Sequence, residues 1–368
     1  MTTPLQSWQN DLDRGLIKPD AAQALAVEAL QHLYDDIVAR EEQSPGIAGW
    51  LKSRLGLVRP GPVRGLYIYG GVGRGKTYLM DTFFECLPFE RKQRTHFHRF
   101  MQQVHAELAR LKQQKNPLEM VADSIASRAR VLCFDEFFVS DIGDAMILGG
   151  LLEHLMSRGV VLVATSNIHP DGLYANGLQR ERFLPAIRLL HQHCRILELD
   201  SGIDYRLRAL KQASLYFYPL GVEADRALRD VFDRLASGHA ERQQDTFVEI
   251  LGRQVAVRLV SDGVAWFDFR QLCAGARSAF DYIELAREYH TVILADVPAM
   301  DGSHDDMARR FVSLVDELYD RHVKLIISAE VPLSALYSGH GLAFVFERTR
   351  SRLLEMQSEE YLGLEHRP

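Results

Sequence analysis

Long apolar runs are missing from this 368-residue chain, and no stretch is long enough to cross a bilayer as a helix. The opening Met1-Thr2-Thr3-Pro4-Leu5-Gln6-Ser7-Trp8 lacks the charged start and apolar stretch of a secretory leader. Cysteine is sparse. Cys86, Cys133, Cys194 and Cys273 are scattered, with no CxxC pair, so reduced thiols in a cytosol are expected. An excess of positive charge is also missing. The 43 Lys and Arg face 49 Asp and Glu, a net charge of −6, which argues against a broadly basic nucleic-acid surface but leaves room for a local patch. There is no short-period repeat and no low-complexity segment. What remains is an ordinary globular composition, 47% hydrophobic and 25% charged, at a length that suggests two domains.

The most informative segment is Gly70-Gly71-Val72-Gly73-Arg74-Gly75-Lys76-Thr77, which fits G-x-x-x-x-G-K-[ST]. Gly65–Tyr69 before it reads as a buried strand, and Tyr78–Phe84 after it as a helix. That context turns a glycine-rich turn into a phosphate loop. Backbone N–H groups from Gly70 to Tyr78, including those of Val72 and Arg74, would cradle the phosphates of ATP. Lys76 would reach the β- and γ-phosphates, and the Thr77 hydroxyl would ligate Mg²⁺.

Strands and helices alternate around this loop. Asp20 is placed to cap a helix with apolar positions Ala22, Leu25, Ala26, Ala29, Leu30, Leu33 and Ile37. Turn signals follow at Ser44-Pro45-Gly46 and Pro60-Gly61-Pro62. Thr95–Phe100 is expected as a strand, Gln102–Lys112 as a helix, Arg130–Asp135 as a strand buried on both faces, and Ala145–Met156 as a helix. Val160–Thr165 and Arg195–Leu199 are further strands. This pattern predicts an α/β fold with a parallel sheet covered by helices on both faces. After Asp204 the pattern changes. Phe247–Leu251, Val255–Leu259 and Ala265–Phe269 read as antiparallel strands with turns at Gly252-Arg253 and Asp262-Gly263. Thr291–Asp296, a helix buried through Phe311, Leu314, Val315 and Leu318, and Lys324–Ser328 then echo the earlier strand–helix–strand without a phosphate loop. The expected division is a helical segment over 1–60, an ATP-binding core over 61–204, and a mixed α/β, lid-like region over 205–368.

Asp135 and Glu136 follow four apolar residues at a strand end. In a phosphate-loop enzyme Asp135 would hold the Mg²⁺ shell and Glu136 would polarise the attacking water, an arrangement suited to hydrolysis. Asn167, after the next strand, is placed to orient that water, or else simply starts the turn before His169-Pro170. Arg180 and Arg182 lie beyond it, and Arg348, Arg350 and Arg352 cluster near the end. Any of them is a candidate for the cation that meets the transferring phosphate, from the same or a neighbouring subunit. Arg91–Lys115 is basic, with His96, His98 and His105 interleaved with Phe97 and Phe100. It reads either as a surface that grips a polymer or polypeptide, or as a half-exposed strand edge. A metal site would set His96 and His98 on one strand face, but no cysteine or acid stands with them.

Taken together, Gly70–Leu79, His96–Met101 with Val104-His105, Cys133–Phe137, Ala164–Asn167, Leu173–Arg180, Asp204-Tyr205-Arg206, Ala308–Phe311 with Asp316–Tyr319, and Arg348–Gln357 resemble the ZapE-type AAA+ ATPases and their mitochondrial relatives. The resemblance covers nearly the whole chain. It implies a P-loop NTPase fold of the AAA+ type, a three-layer parallel sheet with a C-terminal mixed α/β subdomain. It also implies an ATP hydrolase acting in cell division on the FtsZ polymer, cytoplasmic and peripheral to the membrane at the division site, and a homo-oligomer joined by an arginine finger. By position, Lys76 and Thr77 are Walker A, Asp135 and Glu136 Walker B, and Asn167 the first sensor. Arg180 is the finger candidate and Arg352 or Arg348 the second sensor. A helicase-loader-like nucleic-acid ATPase, disfavoured by the acidic balance, and an ATPase serving membrane-protein quality control are the competing functions. A non-catalytic ATP switch has no need of Glu136.

Overall fold

The computed structural model describes residues 2–42, 63–71, 73–200, 210, 214–236, 242–261 and 263–367. The expected turns at Ser44–Gly46 and Pro60–Pro62, the residues Val72 and Asp262, and the Asp204-Tyr205-Arg206 match lie outside these. The chain divides into two units, Met1–Ile203 and Asp204–Pro368.

The first unit is built on five parallel strands, β1 (Gly65–Tyr69), β2 (Lys92–His96), β3 (Val131–Asp135), β4 (Val161–Ser166) and β5 (Cys194–Glu198), in the order β2-β3-β4-β1-β5. Side chains alternate across the sheet. Leu66, Ile68, Val131, Cys133, Val161 and Val163 pack on α1 (Pro4–Asp13), α2 (Ala21–Glu42) and α3 (Lys76–Cys86). Tyr67, Leu132, Phe134, Leu162 and Ala164 pack on α4 (Phe97–Arg110), α5 (Pro117–Arg128), α6 (Ile142–Ser157) and α7 (Leu184–His193). Both faces are therefore covered, which is why β3 and β4 are apolar without alternation. Asp20 caps α2 as expected, its Oδ1 accepting from the N–H of Ala22 at 2.9 Å and of Gln23 at 3.1 Å.

One boundary differs from expectation. The strand stops at His96 and a helix starts at Phe97, so Thr95–Phe100 is not a strand. Phe97, Phe100, Met101 and Val104 are all buried at i, i+3, i+4 and i+7, a helical face that tertiary packing enforces. His96 and His98 therefore do not alternate on a strand face. The basic segment is also partly consumed inside the fold. Lys92 Nζ donates to the carbonyls of Phe84 (2.6 Å) and Leu87 (2.8 Å), Arg91 donates to the carbonyl of Ala126 (2.8 Å), and Arg94 is taken up by carboxylates.

The second unit holds β6 (Tyr216–Phe217), β7 (Gln243–Ile250), β8 (Arg253–Ser261), β9 (Val264–Asp268), β10 (Thr291–Val297) and β11 (Lys324–Ala329), in the order β6-β11-β10-β9-β8-β7. The β7–β8 and β8–β9 pairs are antiparallel and the rest parallel. The first hairpin turns at Leu251-Gly252, both at positive φ (49° and 75°), one residue earlier than expected. Residues 291–328 thus belong to a separate sheet. One face packs on α9 (Ala279–Glu288), α10 (Asp305–Asp320) and α11 (Ala343–Glu355), followed by the short α12 (Glu359–Leu362); the other face packs on α8 (Val222–Leu235). The echo between units extends to a backbone joint. Glu136 after β3 has φ 52° and donates its N–H to Thr165 Oγ1 at 3.3 Å. Asp296 in β10 has φ 60° and donates its N–H to Ser328 Oγ at 3.1 Å. In the second unit the acid is neutralised by Arg258.

Candidate functional site

Strand order brings the ends of β1, β3 and β4 side by side, because β4 lies between β1 and β3. The phosphate loop, Asp135-Glu136 and Asn167 leave the sheet at the same edge, the carboxyl edge where α/β sheets bind ligands. The end of β4 stitches the other two together. Its Ser166 carbonyl accepts from Gly70 N–H at 3.2 Å, and its Thr165 carbonyl accepts from Phe137 N–H at 2.7 Å. Ser166 Oγ donates to the Phe137 carbonyl at 2.7 Å. Asn167 follows directly and is half-buried.

The loop geometry fits a nucleotide triphosphate. Gly70 runs so close to β5 that a Cβ would lie 2.2 Å from the Leu199 carbonyl oxygen. Gly75, the residue before α3, has φ 87°, a left-handed conformation that favours glycine. No side chain caps that helix end, so its first N–H groups point toward an anion site. Lys76 Nζ donates to the carbonyls of Gly70 (2.5 Å) and Gly71 (2.7 Å), within the loop itself. Arg74 reaches Asp200 at 3.5 Å. Thr77 is half-buried and Asp135 is 3% exposed. Among the described residues no three His, Cys, Asp or Glu side chains gather to hold a metal. Mg²⁺ is usually held by one or two protein ligands together with substrate phosphates, and Thr77 and Asp135 are the residues whose oxygens would serve.

Glu136 sits in the left-handed region, uncommon for a non-glycine residue and frequent where a side chain is aimed for chemistry. Beneath it, Arg94 on β2 joins two buried carboxylates. Its guanidinium pairs with Asp81 on α3 and, at 2.6 Å through Nε, with Asp135. Asp81 is 2% exposed, so removing this shared cation would strand a buried charge. Cys133 lies in the same strand as Asp135, fully buried, and burial pushes its thiol up, away from reactivity.

One residue near the loop escapes a reading by motif alone. Gln23 on α2 is 5% exposed and donates its Nε2 to the carbonyl of Arg74 at 3.1 Å, bracing the loop from outside. The only signal was a glutamine within an otherwise apolar helix face. Tyr78, expected at the nucleotide, turns its buried ring toward α1, where its hydroxyl donates to Asp11 at 2.7 Å; burial first, then Asp11, pushes that hydroxyl up. Only its backbone stays with the loop. Gln23→Ala is expected to weaken binding of a non-hydrolysable ATP analogue about fivefold, the equivalent of one lost hydrogen bond of about 1 kcal/mol. Equal affinity in a titration would remove Gln23 from the site.

The candidate arginines are each held by neighbours within their own unit. Arg180 begins a short 3₁₀ turn after Gln179 (φ 56°), and its Nη2 donates to the Asp171 carbonyl at 2.6 Å, while its Nε is buried without a hydrogen-bond partner. The Asp171 carboxylate is itself held by His191 at 2.8 Å. Arg352 and Arg348 belong to the second unit, where both pair with Asp316 of α10; Arg352 also lies 4.8 Å from the Tyr319 ring centre. Arg350 pairs with Glu347 at 2.6 Å.

A phosphate loop, a strand-borne Asp-Glu and a polar residue ending the strand between them, on a 2-3-4-1-5 parallel sheet, define a P-loop ATPase of the AAA+ class. The chain matches the family described as AFG1-like ATPase over residues 2–365 and belongs to it. It is 50% identical over 371 residues to "Cell division protein ZapE" of Escherichia coli (strain K12), covering 99% of this chain and 98% of that one. "Lactation elevated protein 1 homolog B" of Danio rerio is 38% identical over 347 residues, covering 82% of this chain and 69% of that one. The solved "Crystal Structure of the DnaI" aligns with a TM-score of 0.35 at 16% identity, over 50% of this chain and 88% of that one.

Proposed function

We propose that this ATPase acts in cell division, using ATP hydrolysis to remodel or destabilise the FtsZ polymer, as a homo-oligomer working at the division site. The observation that carries it is the 50% identity, over nearly all of both chains, to a protein named for cell division. In this proposal Lys76 and the loop N–H groups bind the triphosphate, with Thr77 and Asp135 holding Mg²⁺. Bound Mg²⁺ neutralises charge on the phosphate oxygens. Glu136 accepts the proton of the attacking water, and Asn167 orients that water. Arg180 serves a neighbouring subunit's site as the finger. Arg352 takes the role of second sensor, and Arg348 is its alternate.

A nucleic-acid loader is disfavoured. Lys92 and Arg94, two cations of its best supporting segment, are spent on internal carbonyls and carboxylates. The test is ATP turnover by the wild type and Lys76→Ala, with and without assembled FtsZ, with light scattering read in the same cuvette. Wild type should hydrolyse ATP and lower the scattering, and the variant should do neither. Turnover with an untouched polymer would reject FtsZ as client while leaving the ATPase in place.

A further inference from the structure

The second unit contains a cavity of about 530 Å³ between α8 and the β7–β9 strands, built wholly from that unit. Ligand pockets span roughly 300–1,000 Å³, so its size is sufficient. Its floor is Trp266 on β9, 4% exposed, whose indole Nε1 is buried with no hydrogen-bond partner. A buried N–H donor without an acceptor is rare, and one lining a cavity points to an acceptor supplied by a ligand. Two guanidiniums flank the ring, Arg258 at 5.5 Å and Arg229 at 6.0 Å from its centre.

The arginines divide into two kinds. Arg258 is neutralised by Asp225 (3.2 Å), Asp268 (2.5 Å) and Asp296. Arg226 and Arg229 are one helical turn apart on α8, both line the cavity, and neither has a carboxylate partner among the described residues. Val222 and Leu259 add apolar wall. The cavity thus offers two unspent guanidinium forks, one buried indole N–H and an apolar surface beside them.

Guanidinium forks match carboxylate and phosphate equally in shape. The remaining charges decide between them. Asp225, Asp245 and Asp268 also line the cavity, so its cations and anions cancel in number. A phosphate dianion or a nucleic-acid strand brings more negative charge against that acidic wall than a single carboxylate does, and a carboxylate's apolar neighbour has Val222 and Leu259 to pack on.

We propose that this cavity is a polypeptide-binding site, taking one acidic side chain between Arg226 and Arg229, with its apolar neighbours against Val222 and Leu259. The proposal is independent of which client the ATPase serves.

The test uses the full chain and two peptides, Ac-Leu-Glu-Leu-NH2 and Ac-Leu-Gln-Leu-NH2, with inorganic phosphate as a third probe, followed by calorimetry and by tryptophan fluorescence. The glutamate peptide should bind, and the glutamine peptide about tenfold more weakly or not at all. Arg226→Gln with Arg229→Gln should abolish the preference while leaving ATP turnover unchanged. Trp266→Phe, which keeps the ring and removes the N–H, should weaken the glutamate peptide several-fold, and it provides a second route should the double variant misfold. Equal binding of both peptides, tighter binding of phosphate, or no binding of the glutamate peptide at about 5 mM would each overturn the proposal.

Discussion

Glu136→Gln is expected to lower ATP turnover by a factor on the order of 10²–10⁴ while ATP affinity stays within about twofold. The substitution keeps the size and removes the basic oxygen. The backbone that aims Glu136 is fixed by the Thr165 hydroxyl and by Phe137 N–H on the Thr165 carbonyl, so the amide should occupy the same place. The contacts that bind nucleotide come from the loop, Lys76 and Thr77 and are untouched. Single-turnover hydrolysis with a parallel binding titration separates the two quantities. Unchanged turnover would show that another group holds the proton, and a parallel loss of affinity would show that Glu136 shapes the loop instead.

The second large effect falls on stability. Arg94→Leu is expected to destabilise the first unit by about 3–5 kcal/mol, because it leaves two buried carboxylates without their shared cation. Asp81 is 2% and Asp135 3% exposed, so water cannot replace the lost partner. A native domain holds only about 5–15 kcal/mol in total, so the unfolding midpoint in urea should move plainly. A shift below about 1 kcal/mol would place Arg94 with exposed ion pairs, whose removal costs little. The double replacement Arg94→Leu with Asp81→Leu should recover part of the loss, since it removes one of the stranded charges.

What the sequence disclosed follows from how local each signal is. The phosphate loop, the apolar strands β3 and β4 and the cap at Asp20 are written in consecutive residues, and these were legible. Several helices went unread, and three of them, all in the first unit, carry proline in their first turn: Pro4 in α1, Pro117 in α5 and Pro185 in α7. Proline suggests a break, yet in the first helical turn its missing N–H costs nothing. The start of α4 was misplaced because aromatic and β-favouring residues between Thr95 and Phe100 suit a strand, and only packing against β3 and β4 reveals the helical face. Gln23, Asp11 and Arg94 were invisible for another reason. Each acts through a partner 41 to 67 residues away in the chain, Arg74, Tyr78 and Asp135, and no spacing rule connects them.

The N-terminal helices carry a mechanical consequence. The α1–α2 pair grips the nucleotide loop and the helix behind it at two points, Gln23 on the Arg74 carbonyl and Asp11 on Tyr78. A load applied at residues 2–13, by an attached tag or by an associating protein, reaches Tyr78 through Asp11 as well as the sheet through the apolar packing of the pair. An affinity tag placed at the start of this chain would therefore change the apparent affinity for ATP more than the same tag at its end.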